Sequence, residues 1–122
     1  MILADTSVWI DHFRSYNTEL ARLLEEGEVL IHDFVIGELA SGNLRDREVT
    51  LHRLQHLPPV RTARHSEVLH LLEAHKLQGT GLGWVELHLL TAAKLSNCRL
   101  LTLDRCLRDA AKRLLSATAY QS

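Results

Sequence analysis

MILADTSVWIDHF, Met1 to Phe13, carries an apolar run straight into an acid, Asp5, then two hydroxyls, Thr6 and Ser7, before a helical pattern begins. Val8, Trp9, Ile10 and Phe13 suit the inner face of a first helix, which sets Asp5 at the carboxyl end of a buried strand. Open parallel α/β sheets keep their functional groups at that end. An aspartate before an apolar-periodic run is also the ordinary helix start, so capping and site roles both stand for Asp5.

The same design returns near the other end of the chain. RLLTL, Arg99 to Leu103, reads as a buried strand that ends in Asp104, and a helix follows with Leu107, Ala110, Ala111 and Leu114 at helical spacing. Between the two, short apolar runs alternate with helices. Thr18 to Glu26 is a second helix, with Leu20, Leu23 and Leu24 on one face and Gly27 as its stop. Val29 to Ile31 is a second strand, and HDFVIGELASGNL turns back into a helix around Glu38. Arg45 to His56 is a surface helix halted by Pro58 and Pro59, after which Val60 opens a short strand. Ser66 is the expected cap of a helix bearing Val68, Leu69, Leu71 and Leu72. GTGLG, residues 79 to 83, follows a helix and so lacks the context of a nucleotide-binding loop; it reads as a hinge-like connection. Trp84 to Leu95 is helical with Glu86 in its first turn and Asn97 as a stop, and Ser116 to Tyr120 is a candidate edge strand. The alternation predicts a mostly parallel sheet of four or five short strands covered on both faces, in a single domain over residues 1–122.

Of 122 residues, 46% are hydrophobic and 24% charged, the balance of a soluble globular domain. No apolar run reaches the roughly 18 residues of a membrane span, and Asp5 interrupts the first one too early for a signal peptide, so a cytoplasmic protein is expected. Cys98 and Cys106 lack metal or redox spacing and are expected as buried free thiols. The net charge of −1 offers no bulk positive field to gather nucleic acid, so such a partner must be held locally. His52 and His56 among Arg45, Arg47, Arg53, Arg61 and Arg64 read as a partly cationic surface, without the spacing of a zinc site.

Right-handed crossovers would bring Asp5, Glu38, Glu86 and Asp104 to one side of the sheet. Two carboxylates about 5 Å apart repel by roughly 3 kcal/mol at an effective dielectric near 20, so the cluster requires protonation or a cation. Hard divalent ions with oxygen ligands suit an acid-only set, which favours magnesium or manganese. Such an ion would bridge a phosphate and lower the pKa of an attacking water, the chemistry of phosphodiester hydrolysis. The bland readings are that Asp104 caps its helix and Glu86 favours the positive end of its own.

ADTSVWIDHFR, HDFVIGELASGNL, GLGWVELHLL and LLTLDRCL, in this order and spacing, resemble the PIN-domain ribonucleases, specifically the VapC toxins of bacterial toxin–antitoxin pairs. The likeness covers nearly the whole chain. It implies a three-layer α/β/α sandwich, a homodimer, and magnesium- or manganese-dependent cleavage of RNA that leaves a 5′-phosphate and a 3′-hydroxyl. By the resemblance Asp5, Glu38, Glu86 and Asp104 form the catalytic site, with Asp5, Glu86 and Asp104 on the metal and Thr6, Ser7 and Thr102 supporting. It also implies a VapB-type antitoxin whose tail covers the site, promoter DNA reached only through that antitoxin, and no membrane partner. Trp9, Phe13 and Phe34 are candidates for the peptide groove, against ordinary core packing. The departure is Glu86, where the family usually carries aspartate. One extra methylene exceeds the half-ångström tolerance of catalytic constellations, which opens an alternative: a weakened domain that mainly binds its antitoxin and assists repression. A DNA-cleaving enzyme of the same architecture is a third reading.

Overall fold

A computed structural model describes residues 1–115. Ten elements follow one another: β1 (Ile2–Ala4), α1 (Thr6–Ser15), α2 (Thr18–Glu25), β2 (Val29–Leu30), α3 (Asp33–Ala40), α4 (Arg47–Gln55), α5 (His65–Ala74), α6 (Trp84–Leu95), β3 (Arg99–Leu101) and α7 (Arg105–Leu114). The three strands are all parallel in the order β2-β1-β3, with Ile2 beside Val29 and Arg99, and Ala4 beside Leu101. Every residue of β1 is buried, as a central parallel strand requires.

Helices α1, α2, α3 and α4 pack among themselves, as do α5, α6 and α7, and the sheet lies between apolar faces of both groups. This is the expected α/β sandwich, with fewer strands. Three occur among the described residues where four or five were expected. Val60 contributes only through an isolated parallel bridge, Ile31 beside Pro59, because the prolines leave few N–H donors for a ladder. The Ser116–Tyr120 strand lies outside the described residues. The last strand also stops early, at Leu101, since Thr102 bends away to serve other bonds.

Other boundaries follow local chemistry. Asn17 caps α2 by accepting from the Leu20 N–H at 2.9 Å, and its amide donates to Asp11. α5 begins one residue before Ser66, because the Glu67 carboxylate takes the Arg64 N–H at 2.8 Å and does the capping that a Ser66 hydroxyl was expected to do. Val8 and Trp9 are buried as expected of the first helix, whereas Ile10 and Phe13 are each 44% exposed. Cys98 is half-buried, and Cys106, expected inside, is exposed in the first turn of α7.

Candidate active site

Asp5 and Asp104 stand at the ends of neighbouring parallel strands, each capping the helix that follows. The Asp5 carboxylate accepts from the Val8 N–H at 3.2 Å, and Asp104 from the Leu107 N–H at 2.9 Å. Capping and site placement therefore coincide at both acids. Two hydroxyls tie the strand ends together. Ser7 Oγ donates to Asp5 Oδ1 at 2.6 Å and accepts from the Leu103 N–H at 3.0 Å. Thr102 Oγ1 donates to Asp5 Oδ2 and accepts from the Asp104 N–H at 2.9 Å. Each hydroxyl uses both its donor and its acceptor capacity, so the Asp5 carboxylate is fixed by the loop that carries Asp104.

Asp5 is 4% exposed, and Asp104 is exposed at the rim. Burial raises the Asp5 carboxyl above the ordinary range. The hydrogen bonds from Ser7, Thr102 and the Val8 N–H pull the other way, and the Asp104 charge adds a further upward push. Burial is the largest of these effects, so the charged form of Asp5 is costly as it stands.

Glu38 enters the site through Thr6, whose hydroxyl donates to Glu38 Oε1 at 2.5 Å. Glu38 is exposed, not turned into packed surface as its apolar neighbours in sequence suggest; Val35 and Leu39 take the buried face of α3. Glu86 is directed elsewhere. Its Oε1 accepts from the Gly83 N–H at 2.8 Å, closing the first turn of its own helix. The sequence signal for this is Gly-x-x-Glu at residues 83–86, an acid three positions after a helix cap. A Cβ on Gly83 would lie 2.5 Å from Glu86 Oε1, so a larger residue there would require the end of this carboxylate to shift. The preceding loop approaches the site. Gly81, at φ +88°, sits so close to Cys106 that a Cβ would stand 2.8 Å from its Sγ, which places the entry to α6 against the first turn of α7.

Carboxylates are the right donors for a hard divalent ion, and none of the ion pairs among the described residues includes Asp5, Glu38, Glu86 or Asp104. A buried acid beside a second acid is the condition such an ion relieves. The sequence expectation of one fourfold cluster is narrowed, however. Among the described residues no three histidine, cysteine, aspartate or glutamate side chains stand together as a metal cage. Asp5 and Asp104 share a field, while Glu38 and Glu86 are engaged by a hydroxyl and a helix cap.

The aromatic residues divide into two groups. Trp9, 3% exposed, packs inward with its ring 5.8 Å from Phe13. Phe13 borders a groove with Ile10, Arg14, Leu44 and Arg45 that reaches Glu38. Phe34 lies apart from these two, its ring 4.7 Å from His88, which in turn stands 4.9 Å from Trp84. Core packing, the preferred reading for each of these aromatics, holds for Trp9, whereas Phe13 and Phe34 are partly exposed, and Phe34 does not line the depression shared by Trp9 and Phe13. His88 and Trp84 carried no sequence signal beyond helical periodicity.

Residues 2–113 match the PIN domain family. The chain is 42% identical over 111 residues to a protein named Ribonuclease VapC32 from Mycobacterium tuberculosis strain CDC 1551 / Oshkosh, covering 90% of each chain. The same identity and coverage hold for the protein of that name from strain ATCC 25618 / H37Rv.

Proposed function

This chain belongs to the PIN-domain family and is of the VapC type, and from that premise we propose that it is a toxin of a toxin–antitoxin pair, an endoribonuclease that hydrolyses RNA phosphodiester bonds at Asp5, Glu38, Glu86 and Asp104. The observation that carries the reading is the Asp5 carboxylate, buried beside Asp104 and outside the ion pairs found among the described residues. Asp5, Glu86 and Asp104 would hold a magnesium or manganese ion, which would supply the charge that neutralises these acids and would acidify a water.

The residues divide the remaining work. Ser7 and Thr102 hold both Asp5 oxygens in a fixed plane, so no reorganisation is needed at the moment of reaction. Thr6 orients Glu38, whose second oxygen accepts a proton from the attacking water. The water oxygen bonds to phosphorus as the bond to the 3′-oxygen breaks, and that oxygen takes a proton from solvent, leaving a 5′-phosphate and a 3′-hydroxyl. Glu86 must leave the Gly83 N–H to join the set, at the cost of one hydrogen bond, about 1 kcal/mol.

We further infer a homodimer and a VapB-type antitoxin whose tail occupies the groove of Ile10, Phe13 and Leu44 beside Glu38. Promoter DNA is reached through that partner, and the cytoplasm is the expected compartment; no helix among the described residues is long and apolar enough to cross a membrane.

The test is antitoxin-free protein incubated with structured RNA and with DNA, in magnesium, manganese or chelator. Cleavage of RNA that needs the ion and is lost in Asp5→Ala is expected. Metal-independent cleavage, activity undiminished in Asp5→Ala, or cleavage of DNA alone overturns the proposal. The hooked Glu86 favours one second reading, a weakened domain that binds antitoxin and assists repression. An inert wild type that becomes active as Glu86→Asp would establish it, since the shorter acid cannot reach the Gly83 N–H as readily.

A further inference from the structure

Five rings form a continuous row between the two helices that carry Glu38 and Glu86. His32, at the end of β2, lies 5.0 Å from Phe34, and Phe34 lies 4.7 Å from His88. His88 meets Trp84 at 4.9 Å and 83°, and Trp84 meets His65, the first residue of α5, at 5.0 Å. The row is graded in exposure: His32 and His88 are buried at 2% and 7%, whereas Phe34 and Trp84 are 39% and 38% exposed. The buried imidazole of His88 contacts both open rings edge-on, at 60° and 83°, and so fixes their planes. Phe34 is one helical turn before Glu38 on the same exposed side of α3, so it borders that acid, and Trp84, the first residue of α6, continues the row from Phe34 through His88.

Beyond His65 the row ends in positive charge. Arg64 and Arg61 share one carboxylate, Glu67, at 4.0 and 3.9 Å, leaving one cation in excess, and the Arg64 side chain is 82% exposed. The whole chain carries a net charge of −1, so a polyanion is not held here by bulk attraction. Exposed rings with fixed planes supply what phosphate contacts do not, because every nucleobase has a π-face. Acid, rings and cation together complement a single strand that offers a scissile phosphate, unpaired bases and a further phosphate.

We propose that Phe34 and Trp84 form a stacking platform for unpaired bases of single-stranded RNA next to the scissile phosphate, with Arg64 receiving a flanking phosphate. This rests on the reading of the protein as an RNA-cleaving enzyme, and it names the form of RNA that the site selects.

The test is titration of an end-labelled, unstructured oligoribonucleotide with the full chain in chelator, with affinity read in every variant from the anisotropy of the label and stacking read from the intrinsic fluorescence of the chains that keep Trp84. The chain has two tryptophans, Trp9 and Trp84. Trp9 is buried, so quenching by stacked bases reports Trp84. Quenching is expected, with affinity reduced roughly 5- to 150-fold in Phe34→Ala and in Trp84→Ala, the cost of losing one stacked base. Phe34→Tyr and Trp84→Phe should bind within about threefold of wild type, because stacking requires a ring and not a particular one. Arg64→Ala should lower the slope of log affinity against log salt by about 0.7, and the ring variants should leave it unchanged.

Absence of quenching overturns the platform whether or not the alanine variants fold. So does alanine-variant binding within twofold of wild type, or a loss that coincides with dissociation of a dimer into monomers, which would mark the row as a subunit contact. Cleavage of RNA by wild type in magnesium or manganese is read in parallel. Cleavage without quenching sinks the platform alone, and failure to cleave RNA with any ion sinks the enzymatic reading.

Discussion

A carboxylate whose pKa is raised on folding binds its proton more tightly in the native state than in the unfolded chain. Native stability therefore falls as pH rises through the raised value, and at neutral pH the charged Asp5 is a burden on the ion-free protein. Asp5→Asn keeps a side-chain oxygen for the Val8 N–H and removes the charge. In chelator its melting temperature should exceed that of wild type by about 2–5 °C at pH 7, and magnesium should no longer raise it. A lower melting temperature in chelator would refute the burden. Thr102 is wholly buried and serves both acids, so Thr102→Val, nearly isosteric, should cost about 1–3 kcal/mol in chemical denaturation and reduce kcat, with Thr102→Ser restoring most of both. At this scale much was legible. Both aspartates stand at strand ends where the alternation of apolar runs and acids placed them, because a short buried strand must end where a charge begins. The bridging roles of Ser7 and Thr102 were not legible, since each depends on a residue nearly a hundred positions away.

Elements were read well where periodicity was strong and less well where a cap decided the boundary. The seven helices of the described residues correspond to expected ones, yet Ile10, Phe13 and Phe34 are exposed at 44%, 44% and 39%, because periodicity gives a stripe and not the width of the partner that covers it. The start of α6 depends on one local contact. In Gly83→Ala the methyl would lie 2.5 Å from Glu86 Oε1, so the carboxylate end must shift and the cap bond is expected to weaken. Helix stability should fall by about 0.5–2 kcal/mol in denaturant titrations, and the freed Glu86 should raise magnesium affinity in calorimetry. Unchanged affinity would mean that the hooked carboxylate does not compete with metal. The Gly-x-x-Glu spacing announces the cap in the sequence; that the entry to α6 lies against the first turn of α7 is evident only from the fold.

For the molecule as a whole, the buried His32 sets a pH dependence. Burial, and then the neighbouring His88, lower its pKa below the ordinary 6.5, while Asp33 acts in the opposite sense. Its Nδ1 accepts from the Phe34 N–H at 2.9 Å, and Nε2 is buried with no hydrogen-bond partner among the described residues. Below about pH 6.5 the unfolded chain takes up a proton that native His32 refuses, so stability falls as pH drops through that window. His32→Asn retains the helix cap and removes the titration; unfolding free energies at pH 7.5 and 5.5 should differ less in this variant than in wild type. An equal difference would remove His32 as the cause. The same core rests on β1, and Leu3→Ala at its centre should cost about 2–5 kcal/mol in chemical denaturation.

The sequence by itself determined the alternation of strands and helices, the parallel sheet, and the two aspartates at its edge, because hydrophobic periodicity and the abrupt change from apolar run to acid are local properties of the chain. Only the tertiary structure decided which partners those acids meet. Asp5 is joined to Asp104 through the Thr102 hydroxyl and to Leu103 through that of Ser7, Glu38 leans on Thr6, Glu86 turns back to Gly83, and Phe34 lies against His88 and not beside Phe13. Most of these contacts join residues distant in sequence, and the direction a carboxylate or ring takes is set by which hydrogen bond or packing face reaches it first, a competition that no local pattern records.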